Sequence, residues 1–314
     1  MKHLSSGLIC VLFLFGVGCS KGSSDGASGA KRDGSKEKPL VVMLHPSETG
    51  SSSIMDDYAP LLNAVTRVYG IHFDLKMGDS YNGVHEGMIA GHVDMTWSGA
   101  VPFEELRSKG AGELLATQEK NGTSEYWGGI FHRKDSGMGK LTDLKGKSIA
   151  LGDPKSTSSF NAPLAELIKA GLDPVRDLQK IVMAGSHSGS LEQLEAGHVA
   201  GCGASINAYE KLIKSGAINR DVVGVLHKFG PLPAPAIVMS TKLPAELKAK
   251  LKTAFGGIDK AEGVTSEMLL GYGGKKVDRY NVDYDPKKYA DFMATIKVVN
   301  EELINEVIDK AGQR

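Results

Sequence analysis

The chain has 314 residues, and its 37 Lys and Arg balance 37 Asp and Glu, so the formal net charge is zero. That balance leaves no electrostatic footprint for nucleic acid or an anionic membrane surface, and it makes a small ligand the partner to look for. Of the three cysteines, Cys10, Cys19 and Cys202, only Cys202 lies beyond the first two dozen residues, which excludes an intramolecular disulfide framework in the body of the protein.

At the start, Lys2 and His3 precede an apolar core from Leu8 to Val17, too short to span a bilayer and followed by small residues. Residues 1–19 therefore read as an export signal. Gly16-Val17-Gly18-Cys19 resembles a bacterial lipobox, in which the cysteine becomes the lipid-modified first residue; Gly16 stands where that pattern has leucine, and a plain signal peptide is the alternative. Residues 20–38 are rich in Gly, Ser and Lys and lack large apolar side chains, the composition of a flexible tether. The expected location is outside the cytoplasm, in a periplasm or at the cell surface, with Cys19 anchoring the protein to the membrane through lipid. About 275 residues remain, enough for two lobes of ordinary size.

Helix and strand alternate from there on. Leu40 to Leu44 is a compact apolar strand, a Pro/Ser/Gly loop runs from Pro46 to Ser53, and an amphipathic helix carries Tyr58, Leu61, Leu62, Val65 and Tyr69 on one face. Strands are predicted at Gly128–His132, Lys147–Leu151, Lys180–Met183 and Val222–His227, and helices at Pro163–Ala170 and Ser205–Lys214. Such alternation predicts parallel sheets. The end of the chain reads as helical over Leu243–Ala254, Gly263–Leu270 and one long segment from Pro286 to Lys310, all expected to pack on the first lobe.

Two features point to a site. Gly152-Asp153-Pro154-Lys155-Ser156-Thr157-Ser158-Ser159 joins a predicted strand to a predicted helix, which sets side-chain hydroxyls beside the unpaired N–H groups of a first helical turn. An oxyanion can bind in such a cradle without arginine, although an ordinary N-cap reads the same way. The second feature is a repeat: Ser80-Tyr81-Asn82-Gly83 through Ala90-Gly91-His92-Val93 matches Ser186-His187-Ser188-Gly189 through Ala196-Gly197-His198-Val199, with Glu86 and Glu192 also coinciding. Two copies of one turn, helix and strand unit suggest two similar α/β lobes facing a shared cleft.

These residues carry a family resemblance. Leu62 to Thr66, Gly87 to Gly99 with Trp97-Ser98-Gly99, Asp143 to Lys147 leading into Ser156-Thr157-Ser158, Gly185-Ser186-His187 and the proline-rich Gly230 to Pro235 together resemble the phosphonate-binding family, the substrate-binding components of ABC importers for phosphonate, phosphite and related oxyanions. The resemblance implies a type II periplasmic-binding-protein fold, two α/β lobes joined by a two-strand hinge. By that analogy lobe 1 comprises 39–131 plus 232–314 and lobe 2 comprises 132–231, with crossings near Phe131–Arg133 and Lys228–Leu232. It implies binding of a phosphorus oxyanion (phosphonate, phosphite or phosphate) without catalysis, delivery to ABC permease subunits, and a monomer without cofactor or metal. A sensor of the same fold, presenting another solute to a signalling partner, is the alternative.

Position by position, Ser156, Thr157 and Ser158 match the family's hydroxyl triplet, and His187 matches the histidine of its Gly-Ser/Thr-His segment, whose imidazole N–H can donate to an oxyanion. Tyr81 takes the place of His187 in the other copy of the repeat, and Tyr126 precedes the first expected crossing where the family often has tyrosine. Ser98 and Gly99 sit at a strand end facing the cleft. Ala200 and Ser205 stand where the family tends to place aspartates, an arrangement that disfavours a ligand ammonium and leaves Ser205 as a further candidate contact.

Enzyme motifs fail on inspection. Lys145-Gly146-Lys147-Ser148 is similar to a P-loop end, but Leu141 occupies the first glycine position and a strand follows. Gly185-Ser186-His187-Ser188-Gly189 has histidine where a nucleophile elbow needs serine. No histidine pair has the spacing of a zinc motif.

Overall fold

A computed structural model describes residues 32–46 and 51–312. The leader, Cys19 and residues 20–31 of the expected tether lie outside the described residues.

The first sheet is built on β1 (Leu40–Leu44), whose alternate residues Leu40, Val42 and Leu44 are buried. Helix α1 (Ser51–Tyr69) covers it with Tyr58, Leu61, Leu62 and Val65, residues spaced so that one face of a helix turns inward. Then come β2 (Phe73–Met77), α2 (Tyr81–Ala90), β3 (Met95–Ser98), α3 (Ala100–Ser108) and β4 (Gly112–Glu119). The second sheet contains β5 (Glu125–Arg133), β6 (Ser148–Gly152), β7 (Lys180–Gly185), β8 (Gly201–Ser205) and β9 (Val223–Pro233), interleaved with α4 (Ala162–Lys169), α5 (His187–Glu195) and α6 (Ile206–Ser215). The chain returns through β10 (Ala236–Ser240), α7 (Ala245–Gly257), β11 (Arg279–Asn281), α8 (Lys287–Thr295) and α9 (Glu301–Gly312).

Strand order is β11-β4-β10-β3-β1-β2 in one sheet and β7-β6-β8-β5-β9 in the other. The triplets β2-β1-β3 and β7-β6-β8 are equivalent and parallel, as the repeat predicts. The sheets as wholes are mixed. β10 runs antiparallel to both β3 and β4, and β5 runs antiparallel to both β8 and β9, because these strands enter each sheet from the other lobe. Within the repeat, Gly91 and Gly197 take positive φ at 89° and 76°, the left-handed stop that lets the chain leave each helix for the next strand.

Several expectations are corrected. Residues 125–131 belong to the second sheet, since Glu125–Arg133 pairs with β9 and Gly128–His132 with β8. The crossings lie instead at 120–124 and 234–235, side by side, with Ala234 N–H donating to the Ser124 carbonyl at 2.9 Å. Residues 32–38 are packed on the first lobe, not part of a tether: Arg32 binds the buried Asp94 carboxylate and, at 2.7 Å, the Gly91 carbonyl, while His72 N–H donates to the Gly34 carbonyl at 2.8 Å. The expected long C-terminal helix breaks at 296–300, where Asn300 Oδ1 accepts Leu303 N–H at 2.9 Å and starts α9 afresh. Helix α9 then packs on the second sheet's side, with Val307 buried beside Leu167, Leu172 and Ile181 and Lys310 Nζ donating to the Val175 carbonyl at 2.6 Å. Residues 263–270 form turns, and the Leu270–Lys276 bridge that follows is shaped by left-handed Gly273 and Gly274.

Candidate ligand-binding site

Between the sheets lies a small cavity of about 40 Å³, onto which the carboxyl ends of parallel strands and the starts of several helices converge. One wall comes from the second lobe. Past β6, Asp153 accepts Lys155 N–H at 2.8 Å and Asn161 Nδ2 donates to the carbonyls of Pro154 (2.7 Å) and Ser156 (3.0 Å), which pins the loop. The helix begins earlier than its sequence pattern predicts, in a π-turn over Thr157–Asn161 that leads into α4. Ser156 caps this turn. Its Oγ accepts from Ser159 N–H at 3.2 Å and from Ser159 Oγ at 2.6 Å, so its own O–H is left to donate toward the cavity. A Cβ at Gly152 would sit 2.1 Å from Ser159 Oγ, so this pair of serines needs glycine at the strand end. Ser156, Thr157 and Ser158 are all buried, and all three line the cavity.

His187 opens α5 directly after its cap, Ser186. Its Nδ1 accepts Ser205 N–H at 3.1 Å, and its Nε2 lies 2.8 Å from the Tyr272 hydroxyl. Full burial lowers its pKa to about 3. The ring is therefore neutral, with Nδ1 as acceptor and the single proton on Nε2.

The opposite wall is aromatic. Tyr126 of β5, on the second lobe's side, meets Tyr272 edge to face at 5.4 Å, while on the first lobe's side Tyr81, the first residue of α2, stacks on His45 at 4.3 Å and Tyr58 packs on Trp97 at 4.8 Å. Pro102 and Pro235 complete this side. The two walls touch at Gly99, where a Cβ would stand 2.6 Å from Thr157 Oγ1, and Val101 N–H donates to that same oxygen at 3.0 Å. Outside the cavity, ion pairs among the described residues link the lobes: Glu105 with Lys155, Asp57 with Lys211, and Glu210 with Lys275. His85 first, then Lys155 and Lys109, hold the Glu105 carboxyl well below its usual range against the opposing effect of burial. None of the described lining residues is a carboxylate, lysine or arginine.

The structure thus brings together Tyr81, Gly99, Tyr126, Ser156, Thr157, Ser158 and His187. Two other expected contacts stand one layer back. Ser98 Oγ bonds His45 Nε2 at 3.1 Å, and Ser205 spends its hydroxyl capping α6 by accepting Ala208 N–H at 3.0 Å while its N–H holds His187. The residues missed by sequence are His45, Tyr58, Trp97 and Tyr272. His45 carried a readable signal, its position immediately after a strand. Tyr272 carried none, because it reaches the cleft through its N–H bond to Gln118 Oε1 at 2.6 Å, far away in sequence. Cys202 is buried in β8, where desolvation keeps its thiol protonated.

Fold and site together define a two-lobed α/β solute-binding protein. A family model for the periplasmic substrate-binding protein of the phosphonate ABC transporter matches residues 43–277, and the chain belongs to that family. Membership makes it an exported binding protein. It is 25% identical over 265 residues to the phosphate-import protein PhnD of Mycolicibacterium smegmatis, a match covering 80% of each chain. It is 27% identical over 161 residues to the phosphonates-binding periplasmic protein of Escherichia coli, covering 50% of this chain and 47% of that one. PhnD1 of Prochlorococcus marinus, solved in complex with methylphosphonate, shares the fold with a TM-score of 0.74 at 15% identity, over 84% of this chain and 99% of that one.

Proposed function

We propose that the cavity takes one phosphorus oxyanion lacking a charged substituent, such as phosphite, phosphate or methylphosphonate, and that the closed protein delivers it to the permease subunits of an ABC importer. The observation that carries this reading is the lining: neutral donors from both lobes with no carboxylate among the described residues. A carboxylate would repel a dianion and welcome an ammonium, so its absence favours simple oxyanions over aminoalkyl phosphonates. Hydrogen bonds to a charged acceptor contribute about 1.5–3 kcal/mol each. Four or five of them, less the cost of ordering, are enough for micromolar affinity at about −8 kcal/mol. Both lobes hold the same ion, so ligand stabilises the closed form, which is what a permease reads.

The protein acts by binding alone. Ser98 and His45 form a serine hydroxyl–imidazole contact beside the cavity, yet a nucleophilic serine needs a basic imidazole oriented by a third group. Burial, then His85 and Lys155, lower the His45 pKa to about 3, and no group among the described residues orients its Nδ1. Cys19 anchors the protein through lipid, and the protein works as a monomer on that tether. Cys19→Ser is expected to release it from the membrane fraction.

Titration calorimetry with phosphite, phosphate, methylphosphonate, 2-aminoethylphosphonate and sulfate tests the reading. Micromolar or tighter binding of one of the first three, with 2-aminoethylphosphonate and sulfate much weaker, is the expected result. Preference for the amino-substituted ligand or silence across the panel would overturn it.

A further inference from the structure

His45 follows β1 directly and lines the cavity from the first lobe. The ring is buried, stacked on Tyr81 and met edge-on by His85 at 5.6 Å. Its Nε2 is 3.1 Å from Ser98 Oγ, and its Nδ1 has no hydrogen-bond partner among the described residues. The Ser98 hydroxyl, itself 1% exposed, makes no other hydrogen bond within that set.

A neutral imidazole carries one proton, so two arrangements are open. With the proton on Nε2, that N–H donates to Ser98 Oγ and strands two buried groups, the Nδ1 lone pair and the Ser98 proton. With the proton on Nδ1, the Ser98 hydroxyl donates to Nε2, and the donor left over is an Nδ1–H on the cavity-lining ring instead of a hydroxyl behind the lining. A buried donor without a partner is destabilising by about 1–3 kcal/mol, and only the second arrangement puts that donor on a ring that a ligand in the cavity can meet. A buried donor on a ring that lines a cavity already rich in donors needs an acceptor that the described residues do not supply.

Resting on the oxyanion reading above, we propose that His45 is a second histidine donor of the site, giving its Nδ1–H to one oxygen of the bound oxyanion. The lobes then contribute one neutral imidazole each, in opposite tautomers. His187 is set by the Ser205 amide and donates through Nε2; His45 is set by the Ser98 hydroxyl and donates through Nδ1. Ser98, absent from the lining itself, acts as a positioning residue behind it.

Nitrogen-15 NMR of histidine-labelled full-length protein at neutral pH tests the tautomer, and titration with methylphosphonate, phosphite and phosphate tests the contact. His45 is expected to be protonated on Nδ1 without ligand, and its Nδ1–H resonance should move when the bound ligand is added. His45→Gln keeps an amide near Nε2 and loses the Nδ1 donor, and it should bind ~10-fold more weakly; His45→Asn keeps an N–H near Nδ1 and should stay within about threefold of the natural protein. A ring protonated on Nε2, or natural affinity in His45→Gln, overturns the proposal while leaving the oxyanion reading intact. The tautomer is read on the unmutated protein, so it decides the matter even where a variant fails to fold. If the unmutated protein binds none of the three ions, the oxyanion reading fails and this proposal with it.

Discussion

Ser80 and Ser186 cap their helices alike, each accepting the N–H of the glycine three residues on at 3.0 Å, yet the next residue is Tyr81 in one lobe and His187 in the other. The shared cap sets where the first helical side chain goes, and the residue type sets what it brings there. The same division runs through both walls. The second lobe contributes three hydroxyls and an imidazole at its helix starts, whereas the first contributes mainly rings, Tyr58, Tyr81 and Trp97 around His45. On the proposed reading, the repeated scaffold divides into a polar wall that grips the ligand and an aromatic wall that covers it.

The largest effect should come from what the walls share, a buried neutral histidine in each. Burial lowers His45 and His187 from 6.5 to about 3, so the folded state resists protonation that the unfolded chain accepts. Stability should be full above about pH 6.5 and fall as the pH drops toward 3, by a few kcal/mol for each imidazole at the limit. Urea midpoints at pH 7, 5.5 and 4.5 check this, and a flat profile across that window would contradict it.

The difference between the walls is tested next. Ser158→Ala or Thr157→Ala should weaken binding of the preferred oxyanion by about 1–3 kcal/mol in calorimetry, with fold stability changed by no more than a cap's worth of about 1 kcal/mol. Tyr81→Phe keeps the stack on His45 and should lose about 1 kcal/mol or less. Equal losses at Tyr81 and Ser158 would erase the division between gripping and covering walls.

The smallest effect is expected at the rim. Asp57 and Lys211 pair across the cleft, yet burial raises the Asp57 pKa in spite of the lysine, so desolvation offsets much of the attraction. Lys211→Met combined with Asp57→Asn should shift affinity by under about 1 kcal/mol, seen as faster ligand release in stopped-flow measurements. A loss as large as that of Ser158→Ala would move the main source of closure from the cavity to the rim.

Much of the arrangement was legible because it is local. The hydroxyl run at Ser156–Ser158, the glycine stops at Gly91 and Gly197 and the repeated caps each depend on residues within a few positions of one another. What was missed depends on distant contacts. Gly128–His132 reads as a strand from its own composition, but only its two partners, β8 and β9, place it wholly in the second lobe. The apolar register from Phe292 to Val307 suggests one helix, and nothing nearby tells that its last part turns to the other lobe. Tyr272 enters the site because the turn after Gly271 is held by Gln118, and Ser205 stands behind the His187 ring, which its N–H holds.

A crystal structure of the protein with methylphosphonate, or with whichever phosphorus oxyanion binds most tightly in calorimetry, tests the central claim most directly. The account predicts the ion between the lobes, with its oxygens about 2.7–3.2 Å from the hydroxyls of the Ser156–Ser158 turn and from His187 Nε2. An ion bound elsewhere, or bound in the cleft with those groups turned away, would contradict it.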